Sequence, residues 1–100
     1  MLFVFHLRDR PEAGELRKAI RPAHKEYLAR VADRICVAGP LLSDDQAQMI
    51  GSLLVIDFLS RAATEAWLAE EPFTRAGVYE SSVVTAFQNL WPQRCGLVDA

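Results

Sequence analysis

Residues 35–59 open with Ile35-Cys36-Val37-Ala38-Gly39-Pro40-Leu41 and close with Ile50-Gly51-Ser52-Leu53-Leu54-Val55-Ile56-Asp57-Phe58-Leu59. Both runs read as strands, the first stopped by Gly39-Pro40. A polar connection over 42–49, with Ser43-Asp44-Asp45, joins them. Upstream, residues 23–34 hold strong helix formers. The apolar positions Ile20, Tyr27, Leu28, Val31 and Ile35 recur at intervals of three and four, which turns one helical face inward. Pro22 marks a break or a fresh helix start, because proline is tolerated in the first turn and disfavoured deeper. Residues 12–20 are helix-compatible, weakened by Gly14. Residues 2–7 form a strand that ends in the turn Arg8-Asp9-Arg10-Pro11.

Downstream, Ser60 is a candidate N-cap for a helix to residue 70 with Ala63, Ala66 and Trp67 inward. Ala63 leaves the capping box incomplete. Pro72 ends that helix, residues 79–91 read as the last strand, and 92–100 as a tail. The whole chain is then one α+β domain with the order β-α-β-β-α-β. That is the ferredoxin-like arrangement of a four-stranded antiparallel sheet with two helices on one face. With 51% apolar and 24% charged residues in 100, folding buries roughly two-thirds of the unfolded surface, enough for a thin core. Yet the first and third strands are apolar at odd and even positions alike: Phe3 and Phe5 beside Leu2 and Val4, Leu53 and Val55 beside Leu54 and Ile56. A sheet with one wet face alternates apolar with polar. The second face is therefore expected to be covered by another copy of the chain in a two-fold homodimer.

A net charge of −2 without a basic cluster argues against a nucleic-acid partner. RNA-binding modules of this architecture carry a basic-Gly-aromatic signature on the third strand. Gly51-Ser52-Leu53-Leu54-Val55 lacks it. Cys36 and Cys95 stand alone, so no structural zinc site or other metal site is expected. Cys36 reads as an inert core thiol. No apolar run is long enough for a membrane span, and Met1-Leu2-Phe3-Val4-Phe5 has no basic leader. The expectation is a soluble cytoplasmic protein with no membrane association.

His24 stands on the inward stripe where an apolar residue is expected. With Pro22 at a helix start it would lie in the first turn, where the helix dipole disfavours imidazolium. A neutral, half-buried imidazole can accept a proton or polarise a carbonyl. A core histidine bonded to a backbone carbonyl is the other reading. Glu70-Glu71 follows a helix C-terminus, where the dipole opposes carboxylates. Either they form a solvated pair, or one turns back to orient His24 in a base–orienter arrangement. Ser52, Arg21 and Tyr79 are candidate substrate-binding groups. Tyr27 could offer a phenol to a ligand, and His6 has no visible partner.

Arg21-Pro22-Ala23-His24, Ala38-Gly39-Pro40 and Pro72-Phe73 followed by Ala76-Gly77-Val78-Tyr79 resemble the YCII-related (YciI-like) domain family over nearly the whole chain. The resemblance implies a dimeric, barrel-like association of ferredoxin-like α+β domains and a catalytic histidine–aspartate pair. One activity assigned in the family is dehydrochlorination of a chlorinated hydroxyhydroquinone. The family histidine falls on His24. The family aspartate falls on Glu71, one methylene longer. Two functions follow. One is a small enzyme without cofactor, with His24 as general acid/base and Glu71 as orienting carboxylate, performing isomerisation or elimination on a small cyclic or aromatic molecule. The other is a non-catalytic dimeric module that binds a small ligand or a protein.

Overall fold

The computed structural model describes residues 1–92. Its elements are β1 (Leu2–Asp9), α1 (Gly14–Ala29), a 3-10 turn (Ala32–Arg34), β2 (Ile35–Leu42), β3 (Met49–Asp57), α2 (Arg61–Ala69), α3 (Pro72–Ala76) and β4 (Tyr79–Phe87). The strands form one antiparallel sheet in the spatial order β2-β3-β1-β4, the ferredoxin-like topology. From residue 93 on, the expected tail and Cys95 lie outside the described residues.

Register places Phe5 opposite Leu54 and Val84, and Leu7 opposite Ser52 and Ser82, so these side chains share a face. That face is the core. Phe3, Phe5, Leu7, Leu54 and Ile56 are buried on it, and Ile20, Leu28, Trp67 and Leu68 of the helices close over them. Each large apolar side chain buried here contributes about 1.5–3 kcal/mol. Phe5 meets Trp67 edge-on with ring centroids 5.5 Å apart. On the opposite face Leu2, Val4, Leu53 and Val55 are only half-buried, and Val37, Val83 and Phe87 are exposed. Among the described residues no helix is long and apolar enough to cross a membrane.

Several local expectations are corrected. Pro22 neither breaks nor starts a helix, because α1 runs through it. Its missing N–H leaves a carbonyl one turn back, at Lys18, on the exposed side where water can satisfy it. Buried Arg17 and His24 anchor the turns on either side. His24 is therefore deep in a helix, and the N-terminal dipole argument for its neutrality lapses. The helix also stops at Ala29 instead of reaching residue 34.

Pro72 ends nothing by itself. It opens α3 at the first position, where its missing N–H costs no hydrogen bond. Gly77 closes α3 in the left-handed region (φ 79°), a conformation that disfavours any residue with a Cβ. In α2 Thr64, Trp67 and Leu68 turn inward while Ala63 and Ala66 are exposed. Ser60 caps the helix as expected, accepting the Ala63 N–H at 3.1 Å. Cys36 is exposed, because β2 slips register between Ile35 and Val37 and the extra residue is left unpaired. β4 ends at Phe87, short of residue 91.

Candidate active site

Glu71 occupies the N-cap of α3, and its carboxylate Oε1 accepts the Phe73 backbone N–H at 3.1 Å. This cap folds the side chain back toward α1 instead of out to water. The same oxygen receives His24 Nδ1–H at 2.5 Å, with Glu71 fully buried and His24 nearly so. The extra methylene of glutamate does not prevent the contact. The Phe73 ring stacks on the imidazole, centroids 4.0 Å apart and planes 14° from parallel. His24 is thus held at Nδ1 by a carboxylate and on one face by an aromatic ring. A donor at Nδ1 leaves Nε2 of the neutral ring as acceptor, and among the described residues Nε2 has no partner.

A second buried cluster lies beside it. Arg17, two turns before His24 on the same face of α1, donates through Nη1 to both oxygens of Asp9 at 2.9 and 3.0 Å. Through Nη2 it donates to Ser52 Oγ at 2.9 Å. Its guanidinium carbon lies 4.7 Å from the Phe73 ring centroid, which ties the two clusters together. Tyr79 OH donates to Ser52 Oγ at 3.4 Å. A serine hydroxyl has one proton and two lone pairs. With both lone pairs engaged by Arg17 and Tyr79, Ser52 keeps its proton for an acceptor elsewhere.

The electrostatics support this order of donors. Burial, reinforced by the Glu71 carboxylate, pushes the Tyr79 phenol above its ordinary range, so it stays protonated as a donor. Burial also raises the Asp9 carboxyl, against the opposing pull of Arg17 beside it. Arg17 Nε and Glu71 Oε2 are buried without a hydrogen-bond partner among the described residues. Such groups cost stability, so the region is not organised for stability alone.

A pocket of about 260 Å³ opens between α1 and β2. Arg17, Arg21, His24 and Lys25 line it from α1, and Ser52 lines it from β3. The β2 stretch Ala38-Gly39-Pro40 forms the facing wall, with Leu28 and Leu54 as apolar surface. Of the residues singled out from sequence, His24, Arg21 and Ser52 meet in this pocket. Glu71 stands behind His24, and Tyr79 behind Ser52. Tyr27 does not join them, because its hydroxyl is spent on the Trp67 carbonyl at 2.7 Å. His6 is exposed on the other face of the sheet. Sequence reasoning missed Asp9, Arg17 and Lys25. Arg17 was within reach, since it extends the inward spacing of Ile20, His24 and Leu28 by one turn. Among the described residues no cluster of His, Cys, Asp or Glu is placed to hold a metal ion.

The chain is similar to known proteins in sequence and in fold. Protein YciI of Escherichia coli O6:H1 is 34% identical in an alignment that covers 91% of this chain and 100% of that relative. The structure of 5-chloro-2-hydroxyhydroquinone dehydrochlorinase (TftG) from Burkholderia phenoliruptrix AC1100, in complex with 2,5-dihydroxybenzoquinone, superposes with a TM-score of 0.83. It is 30% identical and covers 88% of this chain and 94% of that chain. An antibiotic biosynthesis monooxygenase, 18% identical with a TM-score of 0.54, covers 90% of this chain and 99% of that one and shares the fold alone. The YCII-related domain matches residues 1–88. The chain belongs to the YCII-related domain family.

Proposed function

We propose that this protein is an acid–base enzyme acting on a small cyclic or aromatic molecule by elimination or isomerisation, with His24 as the proton-transferring residue. The observation that carries the reading is a histidine bonded through Nδ1 to a buried carboxylate and lining an open pocket. Likeness to a dehydrochlorinase whose structure holds 2,5-dihydroxybenzoquinone supports both the reaction class and a ring-shaped ligand.

In this scheme Nε2 takes a proton from a carbon or hydroxyl of the ring. Glu71 stabilises the imidazolium that forms. Negative charge gathers on a ring oxygen, where the Ser52 hydroxyl donates a hydrogen bond, its position fixed by Arg17 and Tyr79. For elimination, the electron pair left by the departing proton forms a double bond and expels the leaving group as an anion, and His24 returns its proton to solvent. For isomerisation, the imidazolium delivers the proton to a different ring atom.

The test is chloride release from 5-chloro-2-hydroxyhydroquinone, alongside calorimetric binding of 2,5-dihydroxybenzoquinone. The expected result is acceleration over the uncatalysed rate together with binding. Binding without acceleration would favour the non-catalytic module, and absence of both would remove the aromatic-ring reading.

The apolar outer face of the sheet also supports a two-fold homodimer, sheet against sheet. Its exposed members Val83 and Phe87 lie on β4, next to Leu2, Val4 and His6 of β1. Sedimentation equilibrium is expected to give twice the 11.2 kDa chain mass. Val83→Glu, which buries a charge at such an interface, is expected to shift the protein to monomer. A wild-type monomer at micromolar concentration would overturn this.

A further inference from the structure

Resting on that reading of the pocket, we infer that the ring molecule it prefers carries a carboxylate, and that Arg21 and Lys25 hold that group. Arg21 and Lys25 are four residues apart on α1, so they stand as neighbours on one helical face. Both line the pocket together with His24. Neither has an acidic partner among the described residues. The cations of the helices that are paired are Lys18 with Glu15, Arg61 with Glu65, Arg75 with Glu70, and Arg17 with Asp9.

No carboxylate lines the pocket. The buried carboxylates Asp9 and Glu71 are engaged by Arg17 and His24. The β2 wall contributes Ala38, Gly39 and Pro40, none of them charged. Two uncompensated positive charges therefore converge on one small cavity in a chain whose net charge is −2. Such a concentration draws an anion to the site.

The pocket's size limits that anion. Its 260 Å³ lies below the roughly 300–1,000 Å³ of a drug-sized ligand site, which suits one substituted ring rather than a nucleotide. The planar guanidinium of Arg21 matches the two oxygens of a carboxylate. A ring held this way has its charged substituent at Arg21 and Lys25, leaving the rest of the ring for His24 and Ser52.

The test is calorimetric titration of the full chain with 2,5-dihydroxybenzoate and with its neutral analogue 2,5-dihydroxybenzamide. The acid is expected to bind about tenfold more tightly than the amide, the advantage shrinking as salt rises. In Arg21→Gln/Lys25→Gln that preference disappears. Both side chains are exposed, and circular dichroism verifies that the variant folds. Equal binding of the two compounds, no binding of the acid, or a preference that survives in the double variant would each overturn the proposal. Failure of the acid–base reading looks different: a His24→Asn protein that still prefers the acid, in a chain that shows no rate to lose.

Discussion

His24→Asn is expected to lower the rate of the proposed reaction by about 10²–10⁴-fold, the usual contribution of a positioned general acid or base. Asparagine keeps a polar group near Glu71 but has no nitrogen that can exchange a proton with substrate. Glu71→Gln is expected to cost a similar factor for a different reason. The glutamine amide is uncharged, so the imidazolium that forms during proton transfer loses the carboxylate that stabilises it. The amide oxygen, standing where Oε1 stands, still accepts from both His24 Nδ1–H and Phe73 N–H, so α3 keeps its cap. Glu71→Asp retains the carboxylate but shortens the reach, and its rate should fall between those of wild type and Glu71→Gln. The measurement is kcat against pH for the three variants, with ligand affinity recorded separately. Rates unchanged in both His24→Asn and Glu71→Gln would show that His24 has no part in the chemistry.

The second large effect concerns stability. Asp9 and Arg17 form an ion pair whose side chains are 6% and 5% exposed. Breaking a buried pair by removing one partner costs about 3–5 kcal/mol, because the other charge is left uncompensated. Asp9→Leu and Arg17→Met are each expected to destabilise by that amount in urea denaturation. The double variant removes both charges together, and its stability is expected to return to that of the wild type or exceed it.

The raised carboxyl pKa of Asp9 points the same way, since burial takes more from the ionised form than Arg17 gives back. The sign follows from linkage. A folded-state pKa above the unfolded value means the folded protein binds the proton more readily. Stability therefore falls as pH rises from about the ordinary 3.8 through the folded pKa, and is level above it. Asp9→Asn removes that slope. The double variant should be well folded yet slow, because Ser52 loses the Arg17 hydrogen bond that orients it. A double variant as unstable as the singles would mean that the pair contributes to stability in its own right.

What the sequence made legible, and what it hid, has physical reasons. The four strands were visible because β1 and β3 are dense in Phe, Leu, Val and Ile, and Ser60 punctuates the chain where backbone geometry changes. Gly39-Pro40 does not stop β2, which runs through it to Leu42 as an edge strand, where proline is tolerated. His24 was visible because one imidazole interrupts an apolar stripe. Arg17 was hidden by the same stripe, since a charged residue reads as the end of a buried face unless its partner is known. That partner, Asp9, stands at the end of the strand that precedes the helix.

Pro22 misled because a proline inside a helix is tolerated only when tertiary contacts hold both flanks, and those contacts are nonlocal. Pro72 misled in the opposite sense. A stop signal for α2 is also a start signal for α3, and the choice depends on Glu71 acting as a cap. The nearness of Glu71 to His24 follows from that short helix, which no local propensity announced.

The proposed chemistry depends on the proton distribution of one ring. Nitrogen-15 NMR of the His24 imidazole in the full chain reads it directly. The prediction is a neutral form with its hydrogen on Nδ1, engaged by Glu71, and an unprotonated Nε2 whose signal moves when a ring ligand fills the pocket. A neutral ring protonated at Nε2, or an Nε2 signal indifferent to ligand, would contradict it.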